Sequence, residues 1–194
     1  DRLIAAAAAI PPVPTAVAHP CDKASIEAVV DAASAGMIVP FLVGPRARIE
    51  AAAREAGIDL AGYELIDAPH SHAAAARAVE LVREGRAELL MKGSLHSDEL
   101  LAAVAARETG LRTERRISHV FVMEVPTYSE ALFITDAAVN IFPDLDAKRD
   151  IVQNAIDLHH ALGLGTPRVA ILSAVETVTP KIPGTIDAAC LCKM

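Results

Sequence analysis

The 194-residue chain has no tryptophan, and aromatic residues make up only 3% of it. Its core must therefore be built from Ala, Val, Leu and Ile, a set suited to close packing of helices on a sheet. A basic face is also missing. The formal charge is −7, which argues against a general nucleic-acid binder, although a local basic pocket for a phosphorylated small molecule is still possible. Cysteine is scarce and odd in number, with Cys21, Cys190 and Cys192. A lone C-x-C is weak as a metal motif, and a reduced cytosolic setting is the simpler account. Cys21, at a strand end, reads as either a packed free thiol or a reactive one. No apolar run approaches the ~20 residues a membrane span needs. Ala5 to Ile10 also lacks the pattern of a complete signal peptide. G-x-S-x-G, Walker A and G-x-G-x-x-G sequences are absent, which leaves nucleotide hydrolysis and Rossmann-type redox chemistry without support. The expectation is a soluble cytoplasmic protein with no membrane or nucleic-acid partner.

What the chain does contain is alternation. Hydrophobic residues make up 53% of it, arranged as short apolar runs between Ala-rich helical stretches. Strands are expected at Thr15 to Ala18, Ile38 to Val43, Tyr63 to Asp67 and Glu88 to Lys92. Helices are expected over Lys23 to Ala35, Arg46 to Ala56, Ser71 to Glu84 and Glu99 to Arg107, with Gly36, Gly57, Gly85 and Gly110 as stops. This alternation predicts a three-layer α/β/α fold around a mostly parallel sheet. Val120 to Val125 and Leu132 to Thr135, separated by Pro126-Thr127-Tyr128-Ser129, predict a hairpin that makes the sheet mixed. Pro143-Asp144 opens a helix over Ala147 to Leu162, Arg168 to Ser173 reads as a further strand, and Thr185 to Met194 as the first turns of a helix. Residues 1–143 are expected to form a first α/β lobe, and residues 144–194 the start of a second whose C-terminal remainder is absent from this sequence.

Several segments could carry chemistry. Lys92-Gly93-Ser94 sits between an apolar strand and a helix start. Open α/β sheets bind ligands at that end of a strand, and helix N-termini offer N–H groups to phosphate. The plainer reading is a strand-to-helix turn with Ser97 as N-cap. Arg112, Arg115 and Arg116 lie within five positions. They make either a phosphate clamp, since guanidinium forks pair with phosphate oxygens, or a solvated loop with Arg115 paired to Glu114 or Glu108. Ser118 and His119 follow as hydrogen-bond donors, His119 equally as a structural histidine. Asp136 and Asn140 follow a strand and either orient a cation or cap a turn. Ser173, Glu176 and Thr177, in the sequence SAVET, suit an anion or an amide, or form an ordinary turn. His70 with His72, and His159 with His160, lack the i, i+4 spacing and third ligand of a metal site.

Seven stretches in order resemble the phosphate acetyltransferase/phosphate butyryltransferase family. They are TAVAHPCD, PFLVGP, PHSHAAAARAVELVREG, LLMKGSLHSDELL, TGLRTERRISHVFVMEVP, LFITDAAVNIFPDL and AILSAVETVTPKIPGTIDAA. The wording of PHSHAAAA and MKGSLHSDEL is most like the phosphate acetyltransferase domain of bifunctional enoyl-CoA hydratase/phosphate acetyltransferase proteins. The resemblance implies reversible transfer of a short acyl group between coenzyme A and inorganic phosphate, giving an acyl phosphate. It implies a two-lobed fold of the isocitrate/isopropylmalate dehydrogenase type, a homodimer, no metal and no cofactor, with coenzyme A as substrate. It places Lys92, Gly93, Ser94, Arg112, Arg115, Arg116, Ser118, Ser173, Glu176 and Thr177 in segments that line the ligand cleft. It leaves the general base unassigned, expected beyond Met194. Alternatives on the same scaffold are a non-catalytic CoA-binding or dimerising lobe, a long-chain phosphate acyltransferase of lipid synthesis, and a related dehydrogenase.

Overall fold

The structure, a computed structural model, describes residues 2–194. Its chain contacts divide it into two compact units, Asp1–Arg112 and Thr113–Met194. The division lies ahead of residue 143 because an antiparallel ribbon within 113–143 packs on the helix that follows it.

The first unit runs α1 (Arg2–Ala7), β1 (Val13–Ala18), α2 (Lys23–Ser34), β2 (Ile38–Gly44), α3 (Arg46–Ala56), β3 (Glu64–Asp67), α4 (Ser71–Arg83), β4 (Leu89–Lys92) and α5 (Ser97–Val104). Its four strands form one sheet in the order β3-β2-β1-β4, and every pairing is parallel. The chain steps from β1 outward to β3, then returns past β1 to place β4 on its other side. Parallel crossovers keep one hand, so reversing direction moves the connecting helix to the opposite face of the sheet. Accordingly Val17 and Leu42 pack with Ile26 and Val29 of α2 and Ile49, Ala52 and Ala53 of α3. Ala16, Ala18 and Val43 pack with Ala74, Ala75, Ala78 and Leu81 of α4 and with Leu95. Alternate residues of β1 thus serve opposite cores, as strand geometry requires. Burying one Val, Leu or Ile side chain contributes about 1.5–3 kcal/mol.

Two prolines sit in these inner strands without breaking the ladder. Pro14 precedes Thr15, where β4 joins β1, and Pro40 precedes Phe41, where β3 joins β2. Neither needs an N–H toward a neighbour that has not yet arrived. The helix ends follow local chemistry. The Asp22 carboxylate accepts from Ser25 N–H at 2.8 Å and His70 Nδ1 accepts from Ala73 N–H at 3.2 Å, each capping a helix start. Gly57 closes α3 at φ 69°, a left-handed position suited to glycine. At α5 the N-cap is His96, without a side-chain bond, and Ser97 is already helical. The expected Ser97 cap is therefore displaced by one residue, and the helix ends at Val104 rather than Arg107.

The second unit holds β5 (Val120–Met123), β6 (Leu132–Thr135), α6 (Leu145–Ala161) and α7 (Pro183–Leu191). The strands pair antiparallel, Val120 opposite Thr135 and Met123 opposite Leu132. They form a separate two-stranded sheet, so the hairpin does not mix the direction of the four-stranded one. Asp144 caps α6 by accepting from Ala147 N–H at 2.8 Å. α7 is tied to α6 by the Lys148–Asp187 ion pair. The strand expected at Arg168 to Ser173 is irregular backbone, with Leu172 89% exposed. A strand exists through its ladder, and among the described residues none pairs with this segment. No helix of the described residues is long and apolar enough to cross a membrane.

Candidate functional site

The sheet order reverses between β1 and β4, and the carboxyl edge beside such a reversal is where open α/β sheets take ligands. β4 ends at Lys92 and β1 at Ala18, which brings Lys92, Gly93 and Ser94 against His19 and Cys21. Gly93 N–H donates to Ala18 O at 2.9 Å and Ser94 N–H to His19 O at 2.9 Å, so the ladder continues one step beyond both strands. A β-carbon at residue 93 would lie 2.6 Å from His19 O, so this approach requires glycine. Lys92 Nζ donates to Gly93 O at 3.2 Å and to Leu95 O at 2.9 Å. Two of its three donors thereby hold the turn, and the third has no acceptor among the described residues.

Ser94 Oγ is a junction. It donates to His19 O at 2.9 Å, accepts from Cys21 N–H at 3.1 Å, and lies 3.3 Å from His19 Nδ1. With its single hydrogen on the carbonyl, the hydroxyl has room for a second donor. An imidazole protonated at Nδ1 fits this arrangement. His19 is 4% exposed and has φ 56°, a left-handed conformation that is uncommon outside glycine. Burial, with the nearby positive charge of Arg48, lowers its pKa from the usual 6.5, against the opposing pull of Glu99. Burial thus favours the neutral ring. Burial also pushes the Cys21 thiol up to about 11, so Cys21 is a packed thiol and not a thiolate nucleophile.

Beside the turn, Glu99 Oε1 accepts from Ser71 Oγ at 3.2 Å and lies 3.3 Å from His72 Nδ1. Glu99 Oε2 and His19 Nε2 are buried with no hydrogen-bond partner in the structure. The sequence pattern alone does not single out His19, Glu99 or Ser71 as site residues. The one available signal is a histidine directly after the apolar run of β1. What gives that signal value is the position of β1 between β2 and β4, which is a property of the sheet.

In the second unit, Arg115, Arg116 and Ser118 gather along α6. Arg115 pairs with Asp157 and donates to Asn154 Oδ1 at 3.3 Å; its acidic partner is thus Asp157, not Glu114 or Glu108. Arg116 N–H donates to Asp150 Oδ2 at 3.1 Å, and its guanidinium to Asn140 Oδ1 at 3.4 Å. Asn154 Nδ2 bridges Arg116 O and Ser118 Oγ, both at 2.8 Å. The bond from Arg115 holds the Asp157 carboxyl below the usual range, and the Arg116 N–H does the same for Asp150. Asp136 is a loop organiser. Its carboxylate accepts from the backbone N–H groups of His119, Ala138, Val139 and Asn140. Burial opposes its ionisation, but these bonds outweigh it and lower its pKa. Arg116, Asn140, Phe142 and Asp144 line a surface pocket.

Arg112 is exposed, and so are Ser173, Glu176 and Thr177, which lie in irregular backbone. His70 caps α4, and His159 lies against Phe133 at 5.2 Å between ring centres. Among the described residues no three His, Cys, Asp or Glu side chains gather as metal ligands.

Comparison with known proteins adds ancestry to this geometry. A family model described as phosphate acetyl/butaryl transferase matches residues 70–194. A phosphate acetyltransferase of Rhizobium meliloti is 68% identical over 194 residues, covering 100% of this chain and 61% of that protein. A phosphate butyryltransferase of Clostridium acetobutylicum is 42% identical over 179 residues, covering 92% of this chain and 60% of that protein. Among solved structures, a branched-chain phosphotransacylase from Enterococcus faecalis V583 superposes with a TM-score of 0.75 at 26% identity, over 92% of this chain and 62% of that one. A phosphotransacetylase from Streptococcus pyogenes, 16% identical, shares the fold with a TM-score of 0.79 over 99% of this chain and 68% of that one.

Proposed function

The chain belongs to the phosphate acetyl/butaryl transferase family, and from that premise we propose that it takes part in reversible transfer of a short acyl group between coenzyme A and inorganic phosphate. The chain spans 61% of the length of its Rhizobium relative, so the activity proposed is that of the whole natural protein. The observation that carries the reading is the Lys92-Gly93-Ser94 turn, held against His19 where the strand order reverses.

In this reading the thiol of coenzyme A gives its proton to a base. The thiolate then forms a C–S bond at the acyl carbonyl, and the C–O bond to phosphate breaks. Negative charge grows on the carbonyl oxygen and on the departing phosphate, so fixed cations and N–H donors aimed at them lower the barrier. The free donor of Lys92 and the Gly93-Ser94 turn suit a phosphoryl group. Arg112, Arg115, Arg116, Ser118, Ser173, Glu176 and Thr177 are proposed as further contacts to coenzyme A or phosphate. Arg115 would have to exchange Asp157 for a phosphate oxygen to serve in that way. No cofactor is proposed, since coenzyme A enters as a substrate. A cytoplasmic homodimer is the assembly proposed with this activity.

The test is acetyl-CoA formation from acetyl phosphate and coenzyme A by the full-length natural protein, repeated with butyryl phosphate. Turnover of either acyl phosphate is expected. A folded protein that transfers neither would overturn the reading.

A further inference from the structure

His19 stands out because three strands meet on its backbone. Its N–H donates to Val43 O of β2 at 2.7 Å, the last tie between β1 and β2. Its carbonyl then turns aside and accepts from Ser94 N–H at 2.9 Å, from Ser94 Oγ at 2.9 Å and from Cys21 N–H at 2.9 Å. The turn after β4 is therefore hung on one carbonyl whose direction is set by φ 56°. A non-glycine residue in that region costs about 1–3 kcal/mol and persists where its surroundings over-determine it. The ring does not point away from this knot. Its Nδ1 returns to Ser94 Oγ at 3.3 Å, so backbone and side chain hold the same hydroxyl. A serine held on two sides leaves the Gly93-Ser94 backbone little freedom to rotate.

We infer that His19 is a positioning residue, which sets the Lys92-Gly93-Ser94 turn in the orientation that receives a phosphoryl group. It acts through Ser94 and need not touch the substrate. The inference rests on the acyl-transfer reading for the identity of the ligand, and the phosphoryl group belongs either to the acyl phosphate or to coenzyme A. An asparagine at residue 19 tolerates the left-handed backbone, and its amide nitrogen can stand where Nδ1 stands. A glycine keeps the backbone and removes the ring. These two substitutions separate the hydrogen bond from the turn itself.

Steady-state kinetics of the full-length protein, with KM measured separately for acetyl phosphate and coenzyme A, provide the test. His19→Gly is expected to raise KM for one of the two by about tenfold or more, with kcat changed by less than about threefold, as misplacement of a binding group does. His19→Asn is expected to stay within about threefold of wild type in both constants. The substrate whose KM rises identifies the owner of the phosphoryl group. Unchanged KM values in His19→Gly would overturn the inference, as would a His19→Asn protein as impaired as His19→Gly. If the His19 variants do not fold, Ser94→Ala removes the hydroxyl through which His19 acts, and unchanged KM values for both substrates overturn the inference. Failure of the wild-type protein to transfer an acyl group would instead count against the function proposed above.

Discussion

A β-carbon on residue 93 would lie 2.6 Å from His19 O and 2.7 Å from Ala18 O, and both obstacles are backbone atoms that cannot swing aside. Gly93→Ala is therefore expected to destabilise the protein by about 1–3 kcal/mol, the range for overpacking a tight site. Urea unfolding followed by circular dichroism measures it, and a midpoint equal to wild type would mean the turn is looser than its contacts indicate. His19 gives a second prediction at this scale. Its pKa is lowered in the folded protein by burial and by Arg48, so the unfolded chain binds the proton more readily. Stability then rises with pH wherever the unfolded state holds more protons. The contribution of His19 is fully present above its ordinary value of 6.5 and is lost as pH falls below it, toward the lowered folded value. Unfolding free energy measured between pH 8 and 5 should fall at the acid end. The fall should be smaller in His19→Asn, and an equal fall in both would assign it to other groups.

At the scale of elements, most helices and strands were legible because each is specified by its own few residues. Arg46–Ala56 and its Gly57 stop, and the strand at Leu132–Thr135, stand where periodicity and turn chemistry put them. α6 starts after Asp144 for the same local reason, since one carboxylate satisfies a free N–H of the first turn. Asp144→Ala should cost about 1 kcal/mol, the usual loss of such a cap. Asp144→Ser should recover most of it, as thermal unfolding can show. Where expectation failed, the missing information was non-local. Arg168 to Ser173 carries a short apolar run like that of a strand, but a strand needs a neighbour, and the ladder is decided by residues distant in sequence. The hairpin was legible as a hairpin for the opposite reason, because its partner lies within the same short segment. Which sheet it would join was not legible.

At the scale of the molecule, the first unit is the more deeply cored. Ala16, Val17 and Ala18 of β1 are each 0% exposed, flanked by β2 and β4 and covered by helices on both faces. Segments with few buried contacts open first, so amide exchange should be slowest in β1 and fast across residues 163–182, where the backbone is largely irregular. Hydrogen exchange read by mass spectrometry tests this, and uniform protection along the chain would contradict it. By itself the sequence determined the α/β class, most element positions, the family to which the chain belongs and the Lys92-Gly93-Ser94 turn, because short-range periodicity, capping residues and motif wording encode them. Only the tertiary structure decided that β1 lies between β2 and β4, that His19 turns its carbonyl onto Ser94, and that Arg115 and Arg116 find separate carboxylates on α6. The physical reason is range. Each of those facts depends on residues tens of positions apart meeting within hydrogen-bond distance, and only packing of the whole unit brings them there.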